Sequence, residues 1–324
     1  MMQRLIGDIG GTNTRLALVE EGTEWSRMQS YRNEEHESLE AIIGQYLESH
    51  GARPETAALA VAGPVRGDRV RLTNRGWTVD ATNLKKQFSL DYCRVVNDFS
   101  AVAMGIPALD EDVLEQLGGD SRKSEAPVAI VGPGTGLGVG GIVPGQGGGR
   151  ILVTEGGHAT LPANDDQQAA ILASLRRRFG HVSCERAISG QGIENIYQAL
   201  AELQGVGVEP LSAAAIGEAA TERNDTLANE ALGLFFRFLG AVAGDLALSY
   251  GAFGGVYLAG GIVPRYLPRF RDSGFRQSFE AKGRMSDYLK PIPVFVILHE
   301  EVELLGLAAS LDARVRGSDW PQVP

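Results

Sequence analysis

A glycine turn near the start of the chain combines residues that suit phosphate chemistry. Asp8, Gly10, Gly11 and Thr12 follow a short apolar run, and Arg15 comes three residues after Thr12. Glycine has no Cβ, so the N–H groups of such a turn can close on phosphate oxygens, and Thr12 adds a hydroxyl donor. Asp8 is placed where a carboxylate could hold a magnesium ion through water. This segment predicts a phosphate-binding turn with a metal-binding carboxylate beside it.

A second glycine segment, residues 132–138, contains Thr135 and has similar chemistry. It also includes a formal G-x-G-x-x-G at Gly136, Gly138 and Gly141. No helical pattern follows these glycines, and neither loop contains Gly-Lys-Ser or Gly-Lys-Thr. Both the Rossmann and the Walker A interpretations are therefore disfavoured, and we predict a second glycine hairpin.

The elements that position these residues alternate between strands and helices. The apolar patterns predict strands over 5–8, 15–19, 57–62, 94–97, 128–131, 139–143 and 256–259, and helices over 36–50, 226–250 and 300–314. Asn97 and Asp98 come at the carboxyl end of one strand, where ligand groups of open α/β sheets cluster. A third turn, Gly260-Gly261, follows the strand at 256–259. We predict two similar α/β lobes that share a cleft, with the last helix packed on the first lobe.

Composition and charge exclude several classes of function. The 324 residues are 44% hydrophobic, which suits about two globular domains, and 30 Lys and Arg against 40 Asp and Glu give a net charge of −10. This field repels nucleic acid and anionic membranes, so we expect neither as a partner. Arg237 and Asp245 divide the most apolar region, residues 231–263, well short of the ~20 residues of a membrane span. We interpret that region as a buried helix followed by a strand.

The two cysteines, Cys93 and Cys184, are too few and too distant for a zinc framework or a disulfide scaffold. We expect two reduced thiols in a cytoplasmic protein. The N-terminal sequence MMQRLIGDIGG lacks the apolar stretch of a signal peptide.

Six segments, in order, resemble the bacterial glucokinase family within the actin, hexokinase and Hsp70 ATPase superfold. They are GDIGGTNTR (7–15), VVNDFSAVAMG (95–105), VGPGTGLGVGG (131–141), TEGGHATLP (154–162), CERAISGQGIENIY (184–197) and LAGGIVP (258–264). The resemblance implies a two-lobed, actin-like (ribonuclease H-like) α/β fold with a cleft between two domains. It implies a small domain of residues 1–109 plus 299–324 and a large domain of residues 110–298.

The resemblance also implies a reaction and a set of site residues. The implied reaction is ATP-dependent phosphorylation of D-glucose at its 6-hydroxyl, which gives glucose 6-phosphate for glycolysis. Asp98 resembles the catalytic base that accepts the hydroxyl proton. The implied sugar-binding residues are Asn97, Asp98, Glu155, His158 and Glu185. The implied nucleotide-binding residues are Gly7, Asp8, Ile9, Gly10, Gly11, Thr12, Asn13, Gly134, Thr135, Gly136, Gly260 and Gly261.

The implied cofactors are ATP and Mg²⁺, with Asp8 toward the metal, and the implied assembly is a homodimer. Asn74 and Trp77 are assigned to a first-lobe loop near the sugar. The related ROK family carries a cysteine-rich zinc motif after the histidine that corresponds to His158, and this chain has no cysteine between Cys93 and Cys184, so we expect no zinc.

Two alternatives remain open from the residues. One is a kinase for another hexose or an amino sugar, because hydroxyl-binding side chains detect a general sugar shape. The other is a sugar-responsive regulator that has lost catalysis. Asp98 and both glycine loops are present, which disfavours the regulator.

Overall fold

The protein is described by a computed structural model over residues 3–63, 69–72, 76–223 and 225–323. It divides into two compact units, each with its own sheet and apolar core. The first unit comprises Met1–Asp110, Pro144–Val153 and Glu301–Pro324, and the second comprises Glu111–Val143 and Thr154–Glu300.

The elements alternate along the chain as an α/β protein requires. The strands are β1 (Arg4–Ile9), β2 (Asn13–Val19), β3 (Trp25–Arg32), β4 (Thr56–Val61), β5 (Arg69–Arg71), β6 (Thr78–Asp80), β7 (Tyr92–Asn97), β8 (Leu114–Gln116), β9 (Val128–Pro133), β10 (Leu137–Val143), β11 (Arg150–Val153), β12 (Val256–Leu258) and β13 (Val294–Ile297). The helices are α1 (Leu39–His50), α2 (Ala81–Gln87), α3 (Asp98–Gly105), α4 (Asp166–Phe179), α5 (Gly190–Gln204), α6 (Ala213–Thr221), α7 (Thr226–Tyr250), α8 (Ile262–Arg265), α9 (Leu267–Arg271), α10 (Phe275–Glu280), α11 (Ser286–Leu289) and α12 (Val302–Arg316).

The sheet of the first unit brings three carboxyl ends to one edge. Its order is β3-β2-β1-β4-β7, with β1, β4 and β7 parallel. Ile9, Val61 and Asn97 are in register across these three strands. The β1–β2 turn and the start of α3 therefore leave the sheet at the same edge, two strand spacings or about 10 Å apart.

Helix α12 packs closely on α3, as expected for the last helix, and also contacts β1 and β4. The crossing depends on two glycines. A Cβ on Gly105 would lie 2.5 Å from the Val302 carbonyl oxygen, and one on Gly306 would lie far inside van der Waals contact with the Ala101 carbonyl oxygen. Because α3 begins at Asp98, this crossing also supports the candidate base.

The second unit is built around a buried sheet and the long helix α7. Within this unit the strands lie in the order β10-β9-β12-β13-β8. Helix α7 has the bounds predicted for it, 226–250, and packs against α5, α6 and α10. It is long and apolar enough to cross a membrane, but 72% of its most apolar window is buried inside the protein. Its apolar side chains form the core of the unit.

One segment associates differently from the predicted division of the chain. The predicted boundaries place residues 144–153 in the large domain, whereas their contacts group them with the first unit. The Ile151 N–H donates to the Gln322 carbonyl (2.8 Å), and the Gln322 N–H donates to the Gly149 carbonyl (3.0 Å). Gly149, which accepts one of these bonds to a distant part of the chain, is buried.

The α3–α12 crossing predicts opposite effects for two glycine-to-alanine changes. Helical Gly→Ala ordinarily stabilises a protein by roughly 0.5–1 kcal/mol. Gly44→Ala in α1 should do so, because nothing lies within 4 Å of the added methyl group. Gly306→Ala should instead destabilise by about 1–3 kcal/mol, because the methyl group forces the helices apart. Urea unfolding measures both free energies, and equal stabilisation by the two variants would contradict the described crossing.

Candidate active site

In the first glycine turn the carbonyl groups of Gly10, Thr12 and Asn13 accept hydrogen bonds, and two N–H groups are available. The Gly10 N–H donates to the Asn13 carbonyl (2.9 Å), and the Asn33 N–H donates to the Thr12 carbonyl (2.8 Å). The Asn33 side-chain amide donates to the Gly10 carbonyl (2.9 Å). The N–H groups of Gly11 and Thr12 have no acceptor in the described part of the chain, and Thr12 is exposed. Such consecutive N–H groups form an anion site.

Asp8 and Arg15 form a cross-strand ion pair directly behind this turn. The two residues are opposite one another in the β1–β2 ladder, and Arg15 Nη2 and Nε lie 2.7 and 3.2 Å from Asp8 Oδ2. Burial disfavours the Arg15 charge, but the hydrogen bond to Asp8 and the negative charges of Asp8, Glu303 and Glu301 outweigh it and raise the Arg15 pKa. Asp8 thus uses one oxygen for Arg15, and its other oxygen has no hydrogen-bond donor among the described residues.

Two of the residues predicted to bind nucleotide, Gly7 and Ile9, are buried in β1 just before the turn. Gly7 is buried, and a Cβ there would lie 2.6 Å from the Leu16 side chain and 3.0 Å from the Leu59 side chain. Ile9 is fully buried, and its carbonyl accepts from the Ala62 N–H at 3.0 Å. These positions favour a packing role over contact with a ligand.

Asn97 and Asp98 occupy the junction of β7 and α3. Asn97 is the N-cap: its Oδ1 accepts from the N–H groups of Phe99 (3.0 Å) and Ser100 (3.2 Å), while its Nδ2 donates to the Gly63 carbonyl (3.1 Å). The Phe99 N–H also donates to Asp98 Oδ1 at 2.8 Å. A helix N-terminus interacts favourably with a carboxylate, so the dipole of α3 and the Phe99 N–H both favour this placement of the Asp98 side chain.

Glu303 near the start of α12 is a residue of this region that the sequence analysis missed. It is partly buried and interacts electrostatically with Asp8, Arg15 and Asp98. Burial, followed by the charges of Asp8 and Asp98, raises the Glu303 pKa to about 7, although its backbone hydrogen bond and Arg15 oppose the rise. The group therefore titrates near neutral pH beside the candidate base. Among alternating apolar residues, nothing in the sequence marks this position.

The second glycine turn repeats the arrangement of the first. The Gly134 N–H donates to the Gly136 carbonyl (2.8 Å), and the Gly190 N–H at the start of α5 donates to the Gly134 carbonyl (2.8 Å). Thr135 is exposed, and the N–H groups of Thr135 and Gly136 have no acceptor within the described residues. This turn is thus a second candidate anion site.

The peptide groups of Leu137 position the predicted sugar-binding residues of the second unit. The Leu137 N–H donates to Glu185 Oε2 at 2.9 Å. On its other side, the Leu137 carbonyl contacts Gly157 so closely that a Cβ would not fit. Gly157 lies between Glu155 and His158, whose side chains are 70% and 62% exposed. The distance from His158 Nε2 to Glu155 Oε2 is 4.0 Å. The structure therefore brings Glu155, His158 and Glu185 together around one backbone segment, with polar atoms accessible to a polyol.

The third glycine turn packs against the second. Gly260 has φ +82°, and a Cβ there would lie 2.6 Å from the Pro133 carbonyl oxygen. Only glycine fits this position. Gly261 has open space around it and begins α8, so the predicted third turn leads into a helix.

The remaining predicted features are less informative. Neither Cys93 nor Cys184 forms a disulfide in the described part of the chain, and burial raises the Cys184 pKa to about 11, so that thiol stays neutral. Within the described ranges no group of three His, Cys, Asp or Glu side chains could hold a metal ion. Trp77 packs on the core of the first unit, and Asn74 lies outside the described residues.

Comparison with known proteins identifies similar chains. The glucokinase family model matches residues 5–314. A glucokinase from Nitrobacter hamburgensis is 45% identical over 307 residues, covering 94% of this chain and 96% of the relative. A crystal structure of glucokinase from an Antarctic psychrotroph aligns with a TM-score of 0.88 at 36% identity, covering 96% and 99% of the two chains.

A more distant likeness concerns the fold alone. A ROK-family glucokinase from Streptomyces griseus, crystallised with glucose and AMPPNP, aligns with a TM-score of 0.64 at 20% identity, covering 96% of this chain and 99% of the other. The predicted α/β fold of the two-domain, actin-like sugar kinases is thus confirmed.

The raised pKa of Glu303 predicts a pH-dependent gain of stability in Glu303→Gln. The pKa of Glu303 is about 7 in the folded protein against an ordinary 4.5. The folded protein therefore loses stability as the pH rises from about 4.5 to about 7, keeps that loss at higher pH, and has none below pH 4.5. The variant should be more stable than the parent by up to about 3 kcal/mol at pH 8, and the difference should vanish toward pH 4.5. Urea unfolding across this range measures it. Glu300→Gln, at an exposed position, is the control, and a pH-independent difference for Glu303→Gln would contradict the assignment.

Proposed function

The chain belongs to the glucokinase family and catalyses the ATP-dependent phosphorylation of D-glucose to glucose 6-phosphate, and from this premise we propose which residues carry out the reaction. The observation that carries the function is the family match across residues 5–314. The available N–H groups of the two glycine turns support it, because phosphoryl transfer depends on positioning and on stabilising phosphate charge.

Asp98 is the catalytic base in this proposal. It accepts the proton of the 6-hydroxyl as that oxygen attacks the γ-phosphorus of ATP. Its place at the first position of α3 supports the role, because the helix dipole and the Phe99 N–H orient the carboxylate. Glu303 adds negative charge nearby.

Asn97, Asp98, Glu155, His158 and Glu185 are proposed to bind the sugar hydroxyl groups. Glu155 and His158 expose polar atoms that can accept and donate. Glu185 has one oxygen fixed by the Leu137 N–H, which leaves its second oxygen to accept from a hydroxyl. Asn97 uses its Oδ1 for capping, so a remaining Nδ2 hydrogen is its donor to the sugar.

The turns at 10–13 and 134–136 are proposed to bind the ATP phosphates, and Gly260-Gly261 the adenosine. The carbonyl groups of Gly10, Thr12 and Asn13 in the first turn, and of Gly134 and Gly136 in the second, accept hydrogen bonds within the protein, which turns these negative dipoles away from a phosphate. The open space around Gly261 supports a nucleotide moiety at the third turn.

Magnesium enters with the nucleotide as MgATP in this proposal. Asp8 is the residue that faces it, and the ion pair with Arg15 occupies one of its carboxylate oxygens. The other oxygen suits a hydrogen bond to a metal-bound water, a contact typical of Mg²⁺, which keeps much of its hydration shell. The bound metal supplies neutralisation of the phosphate charge.

The compartment and assembly follow from less direct support. We place the enzyme in the cytoplasm because neither cysteine forms a disulfide among the described residues. The net charge of −10 supports the absence of nucleic-acid and membrane partners. A homodimer rests on the family resemblance, and light scattering at micromolar concentrations tests it.

The reaction is tested by measuring glucose 6-phosphate formed from glucose, ATP and magnesium, with controls that lack each component. Kinetics with mannose, fructose and glucosamine then rank the sugars. A higher kcat/KM for one of these than for glucose would contradict glucose as the preferred substrate.

Asp98→Asn removes the proposed proton acceptor while keeping the size of the side chain. We expect kcat to fall by about 100-fold to 10,000-fold, with glucose affinity changed only a few-fold, because general base catalysis acts on the chemical step. A coupled assay and equilibrium glucose binding measure the two quantities. Asp110→Asn, at an exposed position after α3, is the control. Near-normal turnover of Asp98→Asn would remove Asp98 from its role.

Gly136→Ala tests whether Leu137 orients Glu185 for the sugar. A Cβ at this position would lie 2.6 Å from Glu185 Oε2, so the carboxylate must move off the Leu137 N–H. We expect glucose binding, measured without nucleotide, to weaken by about tenfold, or roughly 1.4 kcal/mol. Gly134→Ala, which has nothing within 4 Å, should leave that affinity within twofold. Equal glucose affinities in the two variants would refute the link.

A further inference from the structure

Asn33 makes more hydrogen bonds to the first glycine turn than any role assigned so far requires. It follows β3, is fully buried and is 23 residues from Gly10 in the chain. Its Nδ2 donates to the Gly10 carbonyl (2.9 Å), its backbone N–H donates to the Thr12 carbonyl (2.8 Å), and its Oδ1 accepts from the Thr14 hydroxyl (2.8 Å). One residue thus fixes the two ends and the middle of the turn.

These bonds decide which backbone groups the turn offers to a ligand. The carbonyl of Asn13 is taken by the Gly10 N–H, so Asn33 accounts for the other two engaged carbonyl groups of residues 10, 12 and 13. A carbonyl oxygen facing a phosphate would repel it, whereas the N–H groups of Gly11 and Thr12 attract it. The second turn has no side-chain amide in this role, because the Gly190 N–H engages its Gly134 carbonyl.

We propose that Asn33 is a positioning residue for phosphoryl transfer, which holds the Gly10 and Thr12 carbonyl groups away from ATP so that the N–H groups of Gly11 and Thr12 bind the phosphates. The proposal rests on the proposed assignment of this turn to the nucleotide. Asn33 touches neither substrate. It acts through the turn, and its effect belongs to nucleotide binding and not to sugar binding.

Asn33→Asp is the direct test, because it keeps the size and the acceptor for Thr14 while replacing the donor to Gly10 with an oxygen. We expect the KM for ATP and the Kd for ADP to rise by at least tenfold. Glucose binding measured without nucleotide should stay within twofold. Steady-state kinetics, calorimetric ADP binding and thermal unfolding are measured on the full chain.

Gln168→Glu is the matched control for burying an acid in place of an amide. Gln168 is also fully buried, in α4 of the second unit, and has no assigned part in the site. The Gln168→Glu variant should have a lower Tm but a KM for ATP within twofold of the parent value. If Asn33→Asp and Gln168→Glu change nucleotide and glucose affinities alike, Asn33 has only a structural role and the proposal is overturned.

Thr14→Val covers the case in which Asn33→Asp does not fold. It removes the hydroxyl bonded to Asn33 Oδ1 with little change of volume and should raise the KM for ATP about threefold, again without affecting glucose binding. An unchanged KM for ATP in a folded variant overturns the proposal.

Thr12→Val separates this proposal from the assignment of the turn. If Thr12→Val weakens ADP binding while Asn33→Asp does not, the turn binds nucleotide and the proposal for Asn33 fails. If neither variant weakens ADP binding, the nucleotide assignment of the turn fails, and the proposal for Asn33 fails with it.

Discussion

In the second unit, the hydrogen bond from the Leu137 N–H to Glu185 connects the turn proposed to bind phosphate with a side chain proposed to bind sugar. Leu137 directly follows the turn at 134–136, and its other peptide group packs on Gly157 between Glu155 and His158. A shift of the turn therefore moves side chains proposed to bind sugar, and a shift of those side chains moves the turn. Glu185 is half-buried, so leaving its carboxylate without the Leu137 N–H costs free energy, and this cost couples the turn to the carboxylate. The sheet helps to position the side chains proposed to bind sugar, because Leu137 is the first residue of β10.

Both glycine turns have the same pattern of backbone hydrogen bonds, but different residues complete it. Each closes on itself through a glycine N–H, and each has its first carbonyl engaged by a residue from another segment, Asn33 in one unit and Gly190 in the other. The first turn also has the ion pair between Asp8 and Arg15 behind it, whereas the second rests on the start of α5. A side-chain amide in one turn and a backbone N–H in the other thus engage the first carbonyl, which favours N–H donors at the surface of both turns.

The features predictable from the sequence are those with local signals. Glycine pairs after short apolar runs gave both strand-turn-strand units, and unbroken helical spacing gave α7 with the bounds 226–250. Asn33 and Glu303 were not predictable, because their importance depends on contacts with residues far away in the chain, and neither type nor spacing marks them. The association of 144–153 with the first unit likewise depends on backbone bonds near Gln322. The roles of Asp98 and the sugar-binding residues came from the family resemblance and stay predictions.

The crossing of α12 over α3 has a consequence for how the molecule is made. Helix α12 packs on β1, β4 and α3, yet it begins at Val302, far along the chain from α3, which ends at Gly105, and from β1, which ends at Ile9. During synthesis at the ribosome, the second unit, which is almost continuous in sequence, can fold before the last segment of the first unit has been made. Asp98 therefore gains its support last. A nascent chain interrupted before residue 302 lacks the packing of α12 on α3, the helix that begins at the proposed base, Asp98.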